Sequence, residues 1–396
     1  MKQKFTIIGI SDSREQYFSP ELLQIISSGK VFSGGKRHHE IMAGHLPENS
    51  EWIDITVPLD NVFEAYEEYE EITVFASGDP LFFGFANTIK NRLPEAEIIV
   101  YPYFNSLQML AHRFLLPYAD AKIVSLTGRE WKLFDTALIR GEKMIGILTD
   151  RHKTPAVIAS RMLDYGYDNY RMYIGELIGN EKEERLREMS VGEAAVLTDI
   201  KFPNAVFLKM IGLRMHPLGI PESEFALLDG RAAMITKMPI RLLTLSMLGL
   251  EKRSSFWDIG FCTGSVSVEA RLQFPHLDIT SFEIRQEGRE LMDTNSHKFG
   301  APGIDYHICD FMSVDLKDYP APDAVFIGGH NGQLVEMMER IYPVLKKDGV
   351  IVLNSVTEKS RILFEEGAAK TGLKIVQTTH ITVDSHNPIT ILKAIK

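Results

Sequence analysis

Residues 256–264 read Phe-Trp-Asp-Ile-Gly-Phe-Cys-Thr-Gly, a short apolar run that ends in a glycine-containing turn. A run of this kind is typical of a strand buried on both faces of a parallel sheet. The helix-like segment that follows offers free backbone amides at its start, and glycine lets the backbone approach a ligand closely. The stretch therefore predicts a strand, turn and helix that cradle a nucleotide-like cofactor.

A second stretch of the same kind lies far upstream. Residues 76–84 read Ala-Ser-Gly-Asp-Pro-Leu-Phe-Phe-Gly and continue an apolar run that begins at Ile72. A helix is expected to begin near Leu81 to Gly84, because proline suits a helix start. The two stretches are too far apart for one small domain to need both. We interpret them as two active sites on one polypeptide, both supplied by a methyl donor.

Length and composition favour two globular domains. The chain has 396 residues, of which 45% are hydrophobic and 24% charged, so either half can bury a core of its own. No apolar run is long enough for a membrane span, and the first residues lack a signal peptide. With two cysteines, a disulfide framework and a cysteine-rich metal site are not expected. These features predict a cytoplasmic protein.

The net charge of −10 argues against a nucleic-acid binder that relies on broad phosphate neutralisation. A local basic cleft remains compatible with that charge.

Strand-like and helix-like segments alternate in both halves, which is an α/β pattern. Turn-forming pairs between Gly212 and Arg231 place the boundary near residue 215. We expect domains at residues 1–215 and 216–396. In the second, strand–helix units that end in a hairpin-like pair predict a doubly wound sheet with one antiparallel edge strand.

The turn after Trp257 does not fit a dinucleotide. Counted from Gly260, the second and third glycines of the Gly-x-Gly-x-x-Gly pattern are Cys262 and Ser265. Cys262 is interpreted as a packing residue, and the backbone there is expected to avoid a positive φ.

S-adenosylmethionine fits this turn better. Asp258 can order the methionine ammonium, Gly260 and Gly264 allow close approach, Glu283 can accept from the ribose hydroxyls, and Asp310 can accept from the adenine amino group. All three acids lie at the carboxyl ends of successive predicted strands, at the sheet edge where α/β folds bind ligands. The alternative is that each acid caps a helix or turn.

Four loops of the first half follow predicted strands, and two of them are basic. Residues 33–39 carry two glycines followed by four potentially cationic side chains, which is a good anion site. The adjacent His38 and His39 are expected to diverge, so a shared metal is not expected. Together the four loops predict one cleft for a polyanion; solvated loops and a capped turn are the alternatives. The loops are residues 33–39, 77–80, 125–129 and 148–150.

The sequence resembles a known family, the fused precorrin-6Y C5,15-methyltransferases (decarboxylating) of cobalamin biosynthesis. The first half resembles the tetrapyrrole methylases and the second half the C15-methylating, decarboxylating partner. The matching stretches cover almost the whole chain in the family's order. They are residues 33–38, 76–84, 125–129, 148–150, 234–237, 257–269, 321–329 and 354–357.

The resemblance implies a two-lobed tetrapyrrole methylase domain followed by a Rossmann-like methyltransferase domain. It implies methylation at C5 and C15 of precorrin-6Y, or of its cobalt form, with loss of CO2 from the ring C acetate to give precorrin-8. S-adenosylmethionine is expected at both sites. The expected cofactor residues are Gly78, Asp79, Pro80 and Ser106 in the first domain, and Thr236, Asp258, Gly260, Thr263, Gly264, Glu283 and Asp310 in the second.

Some residues depart from the family pattern. The first strand leads into a turn with a single glycine, Gly9, where the family has a glycine-rich turn. Thr127 stands where a histidine is common, and Cys262 replaces a glycine.

A substrate with many carboxylate arms needs cations placed locally. Lys36, Arg37 and Arg129, with Ser33 and Gly35 beside them, are the candidates for binding these arms, since guanidinium matches carboxylate geometry. For the decarboxylation, Lys237 and His330 are candidates for handling charge or protons, with structural roles as the alternative.

Other functions stay open at this level. The second fold also suits an RNA or protein methyltransferase with a fused binding module. A nicotinamide dehydrogenase is a further alternative, but two of the glycines that its cofactor-binding turn requires are absent after Gly260. In another alternative, one half of the chain has no activity and serves only as a scaffold for the other. We expect a homo-oligomer that uses a small anionic tetrapyrrole and neither nucleic acid nor a membrane. The sequence does not decide whether the substrate carries cobalt, which of the two reactions comes first, or whether the intermediate passes directly between the domains.

Overall fold

Three sheets organise the chain in this computed structural model, which describes residues 3–231, 234–383 and 388–396. They belong to two compact units. The first unit comprises residues 1–129, 143–160 and 170–211, and the second comprises residues 130–142, 161–169 and 212–396. The predicted boundary near residue 215 stays a prediction, since two earlier segments group with the second unit.

The strands of the first unit are β1 Lys4–Ile10, β2 Val31–Gly34, β3 Glu51–Asp54, β4 Glu71–Ser77, β5 Glu97–Tyr101, β6 Lys122–Ser125, β7 Met144–Leu148, β8 Tyr170–Glu176, β9 Arg185–Ser190 and β10 Asn204–Met210. Those of the second unit are β11 Ser255–Ile259, β12 Asp278–Glu283, β13 Ile304–Ile308, β14 Ala324–Ile327, β15 Val350–Ser355, β16 Lys374–Ile381 and β17 Ile389–Ile395.

The helices of the described residues are α1 Pro20–Ser28, α2 Lys36–Met42, α3 Asp60–Tyr66, α4 Phe85–Arg92, α5 Ser106–Phe114, α6 Lys132–Ile139, α7 Pro155–Asp164, α8 Val191–Ala195, α9 Met238–Leu248, α10 Ser265–Gln273, α11 Glu287–Phe299, α12 Leu334–Val344 and α13 Glu358–Thr371. No helix of these residues is long and apolar enough to cross a membrane.

The first unit contains two five-stranded sheets. One has the order β3-β2-β4-β1-β5 and is parallel throughout. The other has the order β6-β7-β10-β8-β9, in which β6 and β7 are parallel and the remaining pairs antiparallel. This arrangement is the predicted two-lobed α/β organisation.

The second unit is built on one seven-stranded sheet of order β13-β12-β11-β14-β15-β17-β16. Its first five strands are parallel, and apolar clusters cover both faces. The predicted doubly wound fold is confirmed. The reversed strand is β17, which lies between β15 and the edge strand β16, so it is one position in from the predicted edge.

Helix α6 and the last turn of α7 are part of this second unit. The buried carboxylate of Asp135 accepts two hydrogen bonds from Arg161, at 2.9 and 2.7 Å. The Thr136 hydroxyl donates to the Pro275 carbonyl at 2.7 Å, and the Tyr167 hydroxyl donates to the Gly300 carbonyl at 2.7 Å. A cut of the chain near residue 215 would separate these buried partners.

The long apolar strands were predicted well, and four strands were missed. The apolar runs at residues 144–148, 255–259 and 324–327 predict strands with those bounds, and β7, β11 and β14 have them. The stretch after residue 31, interpreted as a loop, forms β2 and then α2, and the helix predicted near Leu81 begins at Phe85. The other missed strands are β3, β8 and β9; the edge strands β3 and β9 are rich in charged residues and lack an apolar run.

The carboxyl ends of β1 and β4 lie against each other without room for side chains. A Cβ atom on Gly9 would stand 1.9 Å from the carbonyl oxygen of Gly78 and 2.7 Å from the Tyr103 nitrogen. Gly78 has a φ of 62° and donates its N–H to the Ile10 carbonyl at 2.8 Å. The single glycine of the first turn therefore serves this close approach.

Gly9→Ala is expected to lower the free energy of unfolding of the first unit by about 3 kcal/mol, because the methyl group forces the two strand ends apart. Urea unfolding followed by circular dichroism measures the change. Gly44→Ala is the matched control, since nothing lies within 4 Å of a Cβ there. Equal stability of the two variants would contradict the proposed constraint.

Candidate active sites

A cavity of about 490 Å³ lies between the two sheets of the first unit. The carboxyl ends of β1 and β4 line it on one side, through Ile10 to Asp12 and Ala76 to Gly78. Asn204 and Ala205 of β10 line the other side. The cavity thus occupies the edge where parallel strands present their loops to ligands.

All four predicted loops of the first half contribute to this cavity. They supply Gly35, Arg37 and His38; Ser77 and Gly78; Thr127; and Leu148 and Thr149. The sequence therefore predicted correctly that these loops come together.

The predicted cofactor residues of the first unit separate into two groups. Gly78 and Ser106 line the cavity. Asp79 does not, because its carboxylate accepts the N–H of Leu81 at 2.9 Å and closes its own turn. Pro80 is buried behind that turn, with its carbonyl accepting the N–H of Ala86. Ser106 begins α5 behind the N-cap Asn105, whose side chain accepts from Gln108.

The predicted substrate cations are distributed unevenly. Arg37 lies at the cavity, but its guanidinium is already engaged: one nitrogen is 3.3 Å from Asp12 and another donates to Ser77 at 2.8 Å. Burial raises the pKa of Asp12, and Arg37 opposes that shift. Lys36 is exposed and does not line the cavity. Arg129 is exposed and lies over the ring of Phe83, 5.2 Å from its centroid.

Phe83 lines the cavity with a backbone φ of 53°, an uncommon conformation for a bulky residue. Ser33 is fully buried, with its hydroxyl hydrogen-bonded to the Ile53 carbonyl at 2.8 Å and to the Tyr66 hydroxyl at 2.7 Å. It is a core residue of β2 and does not line the cavity, whereas the neighbouring Gly35 does.

The two adjacent histidines diverge, as predicted. His39 stacks on Trp52, with ring centroids 4.2 Å apart. His38 faces the cavity, and burial lowers its pKa to about 4; Arg37 adds to this shift, and a hydrogen bond with the Phe75 backbone opposes it. His38 is therefore a neutral imidazole near pH 7.

In the second unit, Asp258 ends β11 next to β14, where the strand order of the sheet reverses. The residue is fully buried, and one carboxylate oxygen accepts a hydrogen bond from Ser267, which also contacts Ser281 at 2.8 Å. The other oxygen is buried with no partner among the described residues. Burial raises the pKa of Asp258 to about 7, and the Ser267 hydrogen bond opposes that shift.

Glycines shape the turn that follows Asp258. Gly260 has a φ of 76°, and a Cβ there would stand 2.6 Å from the nitrogen of Gly329 in the loop after β14. Gly264 has a φ of 72°, and its Cβ would meet the Met292 sulfur at 2.6 Å. Thr263 is buried, and its carbonyl accepts from the Asn295 amide at 2.8 Å. The turn is therefore a fixed cradle.

The expectation that the backbone at Cys262 avoids a positive φ is wrong. Its φ is 50°, the left-handed conformation that favours glycine. Its N–H donates to a carboxylate oxygen of Glu283 at 2.8 Å, and Gly264 closes the turn by donating to Phe261 at 2.9 Å. These contacts hold the turn in the shape that a glycine would adopt, at a cost in backbone strain.

The carboxylates of Glu283 and Asp310 accept hydrogen bonds from backbone N–H groups. The second oxygen of Glu283 accepts the N–H of Arg285 at 3.0 Å and its guanidinium at 3.2 Å. Asp310 is exposed, and its side chain accepts the N–H of Met312 at 2.9 Å. The capped-turn alternative thus describes the contacts of Asp310, while the buried Glu283 braces the cradle.

A buried ion pair supports the segment that contains Thr236 and Lys237. Arg241 and Glu269 are fully buried and lie 3.1 Å apart. Arg241 donates to the Thr236 carbonyl at 2.8 Å, and Glu269 accepts the N–H groups of Gly219 and Ile220. Lys237 precedes α9 and is half-buried.

His330 follows the Gly328-Gly329 pair after β14. Its Nδ1 accepts the N–H of Gly332 at 3.1 Å, so the proton of the neutral ring is on Nε2, which lies 3.1 Å from the Ser360 hydroxyl. Burial lowers its pKa, and Lys359 adds to the shift.

Several residues that hold these sites were not predicted from the sequence: Ser267, Ser281, Asn295, and the Arg241–Glu269 pair. Serines and asparagines carry little signal by themselves. For Ser267, the spacing that places it in the first turn of the helix after Asp258 was the available cue. Within the described residues, no group of three or more His, Cys, Asp or Glu side chains is arranged to hold a metal ion.

Two families match the chain in order. Residues 4–195 match the Tetrapyrrole (Corrin/Porphyrin) Methylases, and residues 229–395 match the Precorrin methyltransferase domain. The fold, the two candidate sites and the two family matches together define a methyltransferase of tetrapyrroles that consists of two parts.

Several known proteins are similar to this chain. A precorrin-6Y C(5,15)-methyltransferase [decarboxylating] from Sinorhizobium sp is 29% identical over 94% of this chain and 89% of its own length. A cobalt-precorrin-6B C(15)-methyltransferase (decarboxylating) from Salmonella typhimurium is 34% identical over 34% of this chain and 68% of its own. The solved precorrin-6Y C5,15-methyltransferase of Geobacter metallireducens GS-15 is 34% identical, with a TM-score of 0.42, over 46% of this chain and 98% of that chain.

The chain belongs to the precorrin-6Y C5,15-methyltransferase (decarboxylating) family. Members of this family are enzymes that transfer methyl groups to carbon, with S-adenosylmethionine as the donor.

Cys262→Gly is expected to preserve or raise the free energy of unfolding by up to about 1 kcal/mol, because it removes the strain of a side chain at positive φ. Cys262→Val is the matched variant and should lower stability by about 1–2 kcal/mol, since a branched side chain suits this conformation least. Urea unfolding of the two variants tests this. A glycine variant less stable than the valine variant would contradict the strain.

The raised pKa of Asp258 has a consequence for stability. The carboxyl titrates at about 7 when folded and near 3.8 when unfolded, so its contribution to stability is full below about pH 4 and is lost as the pH rises towards 7. Asp258→Asn should remove this dependence. As the pH rises from about 4 to 7, the free energy of unfolding of the wild type should therefore fall relative to that of the variant.

Urea unfolding at a series of pH values measures this difference. Asp310→Asn, at an exposed acid, is the control and should follow the wild type. A pH-independent difference between wild type and Asp258→Asn would show that Asp258 titrates normally.

Proposed function

We propose that this chain methylates precorrin-6Y, or its cobalt form, at C5 and C15 and decarboxylates the ring C acetate, giving precorrin-8. The observation that carries the proposal is that each unit has a candidate site at the carboxyl edge of a sheet: the cavity in the first unit and the glycine turn after β11 in the second. The chain also matches the two families one after the other. Two such sites provide one site for each of the two ring carbons. S-adenosylmethionine supplies an electrophilic methyl group to each.

In the first unit, C5 methylation takes place in the cavity between the two sheets. Gly78 and Ser106 line the cofactor's place, and the Asp79–Pro80 turn shapes it from behind. Arg37, at the cavity wall, and Arg129, over the ring of the cavity-lining Phe83, contact the carboxylate arms of the substrate. Lys36, exposed beside them, contributes long-range attraction. The apolar lining excludes water from the reacting carbon.

In the second unit, the cofactor lies on the turn from Gly260 to Gly264. The unpartnered oxygen of Asp258 fits the ammonium of the cofactor's methionine part, because a buried acceptor without a donor is otherwise costly. A cation there also lowers the pKa of Asp258 and favours its charged form. Glu283 keeps the turn closed and uses its remaining lone-pair capacity for the ribose; Thr236 and Asp310 flank the cofactor.

The reacting carbon of the ring is the nucleophile, so the protein has to align it and exclude water. In the decarboxylation, the bond between the acetate carbon and its carboxylate breaks, CO2 leaves, and the electron pair moves into the conjugated ring. The electrons are then quenched by a proton. Lys237 is the candidate for balancing the carboxylate charge, and His330, whose Nε2–H faces Ser360, for holding a proton nearby.

We also propose that residues 1–215 carry the C5 reaction and residues 216–396 the C15 reaction, and that the enzyme is a homo-oligomer. Because α6 and residues 161–169 are part of the second unit, the test uses the full chain and not separated halves.

Single substitutions that fill one site should separate the two reactions. Ser106→Trp places an indole in the first cavity and should stop C5 methylation while C15 methylation and CO2 loss continue. Gly329→Trp should do the reverse: the residue is exposed, and a Cβ there meets its nearest atom at an ordinary 3.7 Å. Mass spectrometry of the product, with an isotope-labelled methyl donor, counts the methyl groups and detects CO2 loss.

Gly44→Trp and Ile362→Trp, at open surface positions of the first and second units, are the controls. A folded variant that loses both reactions would contradict two independent sites. A wild-type enzyme that methylates neither carbon would refute the proposed function.

A further inference from the structure

Ser77 ends β4 at the wall of the first cavity, and two side chains hold its hydroxyl oxygen. Arg37 donates to Ser77 Oγ at 2.8 Å, and His38 Nε2 lies 2.8 Å from the same atom. These are the side-chain hydrogen bonds of Ser77 within the part of the chain that the structure describes.

The backbone fixes the direction of the bond from His38. Gly35 donates its N–H to His38 Nδ1 at 3.2 Å, and a backbone N–H cannot act as an acceptor. The neutral ring therefore carries its proton on Nε2, and this proton is directed towards Ser77, with the Phe75 carbonyl sharing it. His38 is a donor to Ser77 and cannot accept from it.

The hydroxyl of Ser77 is consequently a donor with a set direction. A serine hydroxyl has two acceptor positions and one proton. Both acceptor positions face donors from α2, so the proton is left for an acceptor outside this group. Ser77 is exposed and lines the cavity, which places that acceptor in the cavity.

The nearby charge indicates an anionic acceptor. Arg37 contacts Ser77 through one terminal nitrogen and Asp12 through the other, so its positive charge adjoins the Ser77 hydroxyl on the side away from Asp12. A carboxylate oxygen that accepts from Ser77 beside Arg37 gains a charge-assisted hydrogen bond.

We propose that Ser77 binds a ligand carboxylate, and that His38 is a positioning residue that orients the Ser77 hydroxyl. Two carboxylate sources share this chemistry: an acetate or propionate arm of the tetrapyrrole, and the methionine carboxylate of the cofactor. The inference rests on the proposed C5 methylation in the first unit.

The full-length enzyme tests it with four variants. Ser77→Ala removes the donor. His38→Asn keeps an acceptor near the Gly35 N–H but loses the donor to Ser77, whereas His38→Gln keeps a donor at the Nε2 position. Ser50→Ala is the matched control, a serine of the same unit whose hydroxyl donates to Pro47. Thermal unfolding confirms that each variant is folded.

The kinetics of C5 methylation give KM for the tetrapyrrole and for S-adenosylmethionine separately. Ser77→Ala is expected to raise one of the two about tenfold or more, the loss typical of a hydrogen bond to a charged group. His38→Asn should raise the same KM, and His38→Gln should restore most of it. In the Ser77→Ala background, His38→Asn should add little, because both act on one hydrogen bond.

The KM that rises identifies the carboxylate. A rise for the tetrapyrrole alone assigns its arm, and a rise for S-adenosylmethionine alone assigns the methionine carboxylate. Unchanged KM values in folded Ser77→Ala, or multiplying effects of the two substitutions, would overturn the inference.

If the wild type shows no C5 methylation, the proposed function fails separately. Calorimetric titration of the same variants with S-adenosylhomocysteine and with uroporphyrin, a stable tetrapyrrole with acetate and propionate arms, then decides the role of Ser77. A weaker binding of one probe by Ser77→Ala supports it, and unchanged binding of both refutes it.

Discussion

Close approach of backbone at the carboxyl ends of parallel strands is the constraint on which both sites depend. In the first unit the end of β1 packs directly on Gly78, and in the second the turn after β11 packs on the loop after β14. Each contact leaves no room for a Cβ atom, so Gly9 and Gly260 set how near the strand ends can lie. The residues that line the cavity and the cradle are held in place by these approaches.

Two buried carboxylates beside the cradle are satisfied mainly by backbone N–H groups. Glu269 accepts from Gly219 and Ile220, besides Arg241, and Glu283 accepts from Cys262 and Arg285. These acids brace the chain around the cradle. Asp258 differs, because one of its oxygens has no partner among the described residues. Asp258, with this unpartnered oxygen, lies at the reversal of strand order, where a ligand is expected.

The first unit follows a different principle. Its cavity has one arginine at the wall, and that arginine is shared between Asp12 and Ser77. In the proposed function, recognition of an anionic substrate there depends on oriented neutral groups as well as on cations. This arrangement is compatible with a net charge of −10, because it needs little local excess of positive charge. Lys36, one of the predicted substrate cations, lies exposed outside the cavity lining.

The sequence by itself determined the α/β class, the buried parallel strands and the two glycine turns, because apolar runs and glycines act through local backbone geometry. It also indicated that the loops after β2 and β4 lie together, and likewise those after β6 and β7, since the carboxyl ends of neighbouring parallel strands share an edge; the packing of the two sheets brings both pairs to one cavity. Asp79 and Asp310 accept the N–H groups two residues further along the chain, which is a local turn pattern. Tertiary structure alone decided that Ser33 is buried and that Cys262 adopts a positive φ. These outcomes depend on partners from distant segments, such as Glu283 for Cys262, and no local pattern of residues specifies them.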